Sequence, residues 1–472
     1  MTRQPTLFEA LSTIIVMVII VIVGFVGFGI PIQALLILSS AYAVFIAKRV
    51  GLKWQDLEEG ITKRLATAMP AIFIILSVGI IVGSWMFSGT VPALIYYGLE
   101  FLNPNYFLVS AFIICAITSV ATGTAWGSAS TGGIALMAIA HQLGINEGMT
   151  AGAIIAGAVF GDKMSPLSDT TNLAALVTKV NIFAHIRAMV WTTVPASIIG
   201  LIVWFIAGRQ FGGKAKTGEV NHMLDQLSNI YNINFFTWIP AIVIIVCLLC
   251  KFNTVPAMLI SSLSAIITGW ANNGFNVVDG FKATFDGFKQ GMVQGSGHVS
   301  SKVATLIEQG GMMSMTEIIV TIFCGYAFAG IVERSGCLEV ILNKISSNIN
   351  SVGQLILATV IGGLMMVLAA GVASVVIIMV GVLMMDMYNK MNLDRTNLSR
   401  TLEDSGTMII PLIPWGTSGI YYAKQLGVSF DQFFIWTVPC YLCVVFALIY
   451  GFTGIGIKKA KDNEEASANN DI

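Results

Sequence analysis

Apolar stretches separated by short polar ones run along the whole chain, near 11–30, 32–47, 68–87, 106–142, 150–180, 188–207, 237–250, 255–270, 315–333, 353–388, 403–426 and 432–452. Most approach the roughly 20 residues that a helix rising about 1.5 Å per residue needs to cross a hydrocarbon layer about 30 Å thick. The stretches 106–142 and 353–388 are too long for one straight crossing. Small and hydroxylic residues interrupt both: Thr122-Gly123-Thr124-Ala125-Trp126-Gly127-Ser128 in the first, Ala369-Ala370-Gly371-Val372-Ala373-Ser374 in the second. The pattern predicts two re-entrant hairpins, with Thr122, Gly123, Thr124, Ser128 and Ser374 at their tips. Non-helical backbone at membrane depth survives only where protein packs it or it lines a wet cavity. The first apolar run suits a span and is long for the core of a cleaved signal.

Composition narrows the class. Of 472 residues, 56% are hydrophobic and 11% charged, against about 25% charged in an ordinary soluble domain. Mean hydropathy is +0.82, which points to an all-α polytopic membrane protein in a lipid bilayer. Lys plus Arg equals Asp plus Glu at 25 each, so no basic surface is available for nucleic acid. There is no phosphate-binding glycine loop, and the longest polar stretch, Gly208 to Asn234, is too short for a nucleotide domain. No cofactor fingerprint, HExxH motif or Ser–His pairing is present, so neither an enzyme nor a cofactor is expected. The pairs Cys247/Cys250 and Cys440/Cys443 lie in apolar runs with no His at ligand spacing and read as small buried hydrophobes. His141, His185, His222 and His298 are scattered.

The chain also looks duplicated. Gly83-x4-Ser88-Gly89 recurs as Gly330-x4-Ser335-Gly336, Gly123 as Gly371, Trp191-Thr-Thr-Val-Pro195 as Trp436-Thr-Val-Pro439, and Ile30-Pro31 as Val255-Pro256. The halves are 11–207 and 237–452, with a polar linker at 208–236 and a cytoplasmic tail at 453–472. A longer polar loop, 271–304, absorbs the change in offset. Hairpins that do not cross give each half five crossings and make the halves inverted; hairpins that cross once give six and a parallel repeat. The Lys/Arg distribution favours cytoplasmic termini in both cases, as Lys458-Lys459-Ala460-Lys461 also does, and does not separate the two. Inverted halves around broken helices are the common plan of secondary transporters and are preferred.

Charge within the apolar segments marks the chemistry. Gly161-Asp162-Lys163-Met164-Ser165-Pro166-Leu167-Ser168-Asp169-Thr170-Thr171-Asn172 sits between apolar helical arms. Pro166 lacks an amide donor and disfavours helix at Ser165, so the helix breaks there. Ionisable groups at membrane depth are costly and mark function. A scaffold reading, an Asp162–Lys163 neighbour pair with Ser168 or Asp169 as a helix cap, explains the cap but not two carboxylates and a hydroxyl cluster at one break. Asp162, Asp169, Ser165, Ser168, Thr170, Thr171 and Asn172 are therefore candidate ion and proton ligands. The second half offers Glu403, Asp404, Ser405, Thr407, Thr417 and Ser418 around Pro411 and Pro414. There a membrane-edge role for the acids stays open, because Arg395 and Arg400 place the interface nearby. Carboxylate, hydroxyl and carbonyl oxygens are the ligands of hard cations such as Na⁺. One carboxylate that holds either a proton or Na⁺ gives obligatory exchange, and Asp162 and Asp169 are the candidates for that role. Glu333-Arg334 reads as an interfacial pair, Trp126 as packing or a gate, and 48–64 as a solvated loop. A channel is disfavoured because no continuous polar stripe lines several helices.

The Thr122–Gly127 run, the long Gly161–Leu173 string and Pro411-Leu-Ile-Pro414-Trp415-Gly416-Thr417 resemble the NhaC family of sodium/proton antiporters, and length and hydropathy match end to end. The resemblance implies a prokaryotic inner-membrane protein of the larger ion-transporter superfamily, with inverted repeats and hairpins and Na⁺ and H⁺ as partners. That family includes plain Na⁺/H⁺ antiporters and exchangers of organic acids such as malate and lactate. For a small organic anion, Lys163 would be the counter-charge. The oligomeric state stays open, with a homodimer among the options.

Overall fold

The computed structural model describes residues 3–101, 103–166, 168–211, 225–250, 252–292, 304, 307–346 and 349–460. Leu167, His222, His298, Lys461, the middle of the linker and the end of the tail lie outside this set. In chain order the first helices are α1 (Leu7–Val21), α2 (Ile32–Arg49), α3 (Trp54–Ser88), α4 (Thr90–Phe101), α5 (Phe107–Thr122), α6 (Ile134–Leu143), α7 (Glu147–Met164), α8 (Asp169–Thr178) and α9 (Ile182–Gly208). There follow α10 (Ile239–Leu249), α11 (Thr254–Asn273), α12 (Val277–Asp286), α13 (Thr316–Arg334), α14 (Cys337–Ser346), α15 (Val352–Ala370), α16 (Gly381–Lys390), α17 (Arg395–Ser405), α18 (Thr417–Leu426) and α19 (Val438–Thr453). Among the described residues the one strand-type contact is an isolated bridge between Leu393 and Lys459. Among the described residues eight helices are long and apolar enough to span a bilayer, and a bent pair, Phe430–Trp436 with α19, makes a ninth if it is one span. The chain is an all-α polytopic membrane protein.

Three helices fall where hydropathy gives none. α12 occupies part of the 271–304 stretch read as a loop, with Gly280 and Ala283 buried and Phe281 and Phe285 exposed. α4 and α14 each follow a glycine with positive φ, Gly89 and Gly336. The expected loop 48–64 is also mostly helical, because α3 starts at Trp54. Its first turns are rich in Glu, Lys, Arg and Leu, which are good helix formers despite their polarity.

α3 and α13 run antiparallel. Gly60 packs against Gly330 and Arg334 at one end, and Gly79 lies on Gly311 and Met312 at the other. At the Gly60 end Arg64 faces Glu333 at 3.7 Å, and Arg334 reaches Glu59 at 3.1 Å and Asp56 at 3.8 Å. Glu333 and Arg334, expected to pair with each other, instead each take a partner on α3. Neighbours on a helix point about 100° apart, so a partner on the facing helix is better placed.

Both long apolar stretches are helical hairpins. α5 ends at Gly123 (φ +68), Thr124 is extended, and helix resumes at Ala125 through a π-helical segment, Ala129–Gly133, into α6. α15 ends at Gly371 (φ +67), Val372 is extended, and helix resumes at Ala373 through a π-helical segment, Val376–Val380, into α16. Glycine fits the left-handed position without strain. The chain reverses at both: Ser128 Oγ donates to the Cys115 carbonyl on α5 (2.8 Å), and the Thr359 and Tyr388 hydroxyls meet at 3.2 Å across α15 and α16.

Buried side chains form two clusters. One is built on α3 to α7, α10, α11, the first half of α13 and residues of α9, α12, α18 and α19; the other on α1, α2, the second half of α13 and α14 to α17, together with Ala174 of α8 and Val444 of α19. Each broken helix thus has one arm in each cluster: α7 and α8 on either side of the seam, and α17 and α18 likewise.

Candidate functional site

The first break forms where α7 stops at Met164 and Ser165 turns extended. α7 is buried along nearly all its length, because Gly157 and Gly161 bring its backbone against Phe112 and Ala116 of α5. Ser165 Oγ donates to the Val120 carbonyl at the hairpin tip (2.7 Å), which fixes the break to α5. Ser168 caps α8 through the Thr171 N–H, and its hydroxyl meets that of Thr170 at 3.1 Å. Thr171 Oγ1 donates to the Lys163 carbonyl (3.2 Å). Asn172 Nδ2 donates to the Pro166 and Ser168 carbonyls (2.9 and 2.6 Å). These polar side chains hold the backbone of the break in shape. The carboxylates differ from one another. Asp169 is exposed and accepts the Thr170 N–H. Asp162 is 8% exposed, and its Oδ1 has no hydrogen-bond partner.

The second break spans 406–416 between α17 and α18 and contains Pro411 and Pro414. Arg400, read as a marker of the interface, is 1% exposed, so α17 is already inside the protein there. Glu403 and Asp404 are both 0% exposed. Neither Glu403 oxygen has a hydrogen-bond partner, and the Thr407 hydroxyl beside it stops short of bonding geometry. Ser405 bonds back to the Thr401 carbonyl (2.7 Å). Thr417 donates to the Gly371 carbonyl from its N–H (3.0 Å) and from its hydroxyl (3.2 Å), while Trp415 Nε1 donates to the Leu368 carbonyl (2.8 Å). The second break is therefore fixed to its hairpin tip, as the first is to its own; Ser374 is half-buried one turn on. Trp126 at the first tip donates to Ser418 Oγ (3.1 Å), stacks on Tyr421 at 4.9 Å and accepts the Tyr421 hydroxyl on its carbonyl.

The two breaks meet at their charges. Lys163 and Asp404 form an ion pair with no exposure of either side chain, and Thr192 Oγ1 on α9 donates to the same Asp404 oxygen (2.9 Å). Lys163 thus pairs across to the second break rather than with its neighbour Asp162. Asp404 Oδ2 has no partner. Asp169 and Glu403 lie within electrostatic reach of Asp162.

A family model described as the Na⁺/H⁺ antiporter family matches residues 4–171 and 157–455. The chain belongs to this family. An uncharacterised Na⁺/H⁺ antiporter of Haemophilus influenzae is 38% identical to this antiporter over 98% of both chains. A malate-2H⁺/Na⁺-lactate antiporter of Bacillus subtilis is 36% identical over 98% of this chain and 97% of its own. The Na⁺/H⁺ antiporter NhaC of Alkalihalophilus pseudofirmus is 34% identical over 91% of each.

In the antiporter, the oxygens left free at the seam are Asp162 Oδ1, both oxygens of Glu403 and Asp404 Oδ2, with the Thr407 hydroxyl among them. An ionised carboxylate buried without a counter-charge costs several kcal/mol; Asp404 has Lys163, whereas Asp162 and Glu403 are stable only with a proton or a cation. Among the described residues no group of three His, Cys, Asp or Glu side chains is close enough to hold a metal ion; a small hard cation would draw on hydroxyl and carbonyl oxygens as well. Two contributors escape the sequence reading. In the sequence Thr192 stands out only as part of the Trp191-Thr-Thr-Val-Pro195 string. His185 is 0% exposed and its Nδ1 meets Ser399 Oγ at 2.8 Å, a contact 214 residues away in sequence.

Proposed function

We propose that this antiporter exchanges Na⁺ for H⁺ at Asp162 and Glu403, with Asp169 at the rim as the outermost ligand. The observation that carries the reading is the set of buried carboxylate oxygens without donors, gathered where two broken helices cross between two cores. Na⁺ arriving at this site displaces a proton, and protonation releases Na⁺. Rearrangement confined to the occupied states couples the two fluxes. Thr407 and carbonyls freed at the breaks complete the ligand set. The Lys163–Asp404 pair keeps the two breaks in register.

The halves 11–207 and 237–452 are inverted repeats in this reading. The helices that correspond in sequence, α3 and α13, run antiparallel, which supports it. Hairpins that fold back leave the parity of crossings unchanged, so each half crosses an odd number of times. Both termini then lie on the cytoplasmic side of the cell membrane.

The test is Na⁺-dependent collapse of a pH gradient in everted vesicles. Asp162→Asn and Glu403→Gln are expected to abolish it, with both proteins present in the membrane at wild-type amounts. Undiminished exchange in both variants refutes the site. The malate-lactate relative supports a second reading, exchange of organic acids with Na⁺ and H⁺. Lys163, its expected counter-charge, is neutralised by Asp404, which favours cations alone. Uptake of labelled malate into lactate-loaded proteoliposomes separates the two.

A further inference from the structure

An apolar groove of about 290 Å³ opens on the outer surface between α5 and α9, lined by Val109, Ile113, Ile198, Leu201, Ile202 and Phe205. Ile198, Leu201/Ile202 and Phe205 are spaced to share one face of α9, and Val109 and Ile113 share one face of α5. From Ile198 to Phe205 the groove runs about 10 Å along the helix axis. Its walls belong to a candidate spanning helix and to a shorter apolar helix beside it, so hydrocarbon is the medium it faces. One end is closed differently. Phe205 stacks on Tyr106 at 5.9 Å, and the Arg209 guanidinium lies over the same ring at 5.9 Å. Arg209 is exposed, and among the described residues no carboxylate pairs with it. A Tyr and an Arg at the end of an apolar helix mark headgroup height.

We infer that this groove holds one acyl chain of an anionic phospholipid whose headgroup phosphate bonds to Arg209. The chain fills the apolar length, which offers no polar partner, and the guanidinium presents paired N–H donors to phosphate oxygens. Arg209 selects for headgroup charge, and the groove selects for an acyl chain rather than a free phosphate. This site is separate from the carboxylates at the seam, so the inference stands whether or not those residues carry exchange.

Native mass spectrometry of the purified full-length protein, with phosphatidylglycerol or phosphatidylcholine added in detergent, reads the site directly. The wild type is expected to retain one phosphatidylglycerol about fivefold more than phosphatidylcholine, the ratio given by roughly 1 kcal/mol per cationic side chain near an anionic headgroup. Arg209→Gln brings that preference close to one, and Arg209→Lys keeps it. Leu201→Trp fills the groove and removes the retained lipid of either class; Ile113→Phe does the same from α5 should Leu201→Trp fail to fold. Unchanged preference in Arg209→Gln, or an undiminished 1:1 lipid adduct in a folded groove-filling variant, overturns the inference. A groove-filling variant that turns a dimer into a monomer with its lipid retained overturns it too, and gives the groove to a second copy of the chain.

Discussion

Lys163 and Asp404 offer a double-mutant cycle whose outcome follows from burial. Neither side chain is exposed, and they are 241 residues apart in sequence, so the pair joins two segments that share no local chain. Removing one partner of such a pair leaves the other charge uncompensated at low dielectric, at a cost of about 3–5 kcal/mol. Lys163→Met falls at the lower end, since Asp404 keeps the Thr192 hydroxyl and feels the Arg400 guanidinium. Asp404→Asn falls at the upper end, because Lys163 is left with Glu403 as its nearby acid. The double variant removes both charges and keeps an amide oxygen for Thr192, so it is expected to cost less than either single change. Single costs of about 3 and 5 kcal/mol and a double cost below either give a coupling of about 5 kcal/mol or more, well above what surface pairs give. Unfolding in mixed SDS–detergent micelles, followed by fluorescence of the nine tryptophans, measures all four corners of the cycle. A double-variant cost equal to the sum of the singles within about 0.5 kcal/mol would mean independent sites and would refute the pairing.

Two further outcomes follow from the packing. A Cβ at Gly161 would lie 2.6 Å from Ser119 Cβ and 2.8 Å from the Val120 backbone nitrogen, so Gly161→Val forces the hairpin tip away from Ser165. We expect a loss of about 1–3 kcal/mol in the same unfolding assay and a sharp fall in exchange, while Gly132→Ala, whose nearest neighbour is 4.0 Å away, leaves both intact. With inverted halves, single cysteines at Gln142 and Lys390, after the first and second hairpins, react with an impermeant maleimide from opposite faces of the membrane once the seven native cysteines are replaced; labelling of both from one face refutes the inversion.

Much of this architecture was legible because lipid leaves backbone few choices. A mostly apolar stretch of 36 or 37 residues with Gly371 or Gly123 in the middle either breaks or overshoots the bilayer, and a left-handed glycine followed by an extended residue is how both break. Pro166 marked the first broken helix for the same reason. The misses have a different origin. Hydropathy averages over windows, so it passes over α4, α12 and α14 and the polar first turns of α3, where helix formation rests on propensity and on contacts made by other helices. At the site, residue types were readable but partners were not. Ser165, Asn172, Ser405 and Thr417 were readable as oxygen-bearing side chains, but the backbone carbonyls to which they donate were not. In a membrane a hydroxyl near a helix break donates to the carbonyls freed around it, and for Ser165 and Thr417 these belong to hairpin tips 45 and 46 residues away, beyond the reach of any local pattern.

The proposed repeat also accounts for which acids remain unpaired. Asp162 and Lys163 stand in the last turn of α7, two and one residues before its end, and Glu403 and Asp404 stand in the same places on α17. Around a two-fold relation, equivalent positions at the axis face each other. Two acids there would repel in a buried setting, and Lys on one side with Asp on the other converts the clash into the pair that bridges the breaks. The positions one residue earlier carry an acid in both halves and have no lysine to answer them. Asp162 Oδ1 and both Glu403 oxygens are left without donors for that reason, and a mobile cation or a proton is the remaining way to balance them. On this view Asp162 and Glu403 are equivalent members of one central site, and the ion that visits it takes the place that Lys163 takes at Asp404.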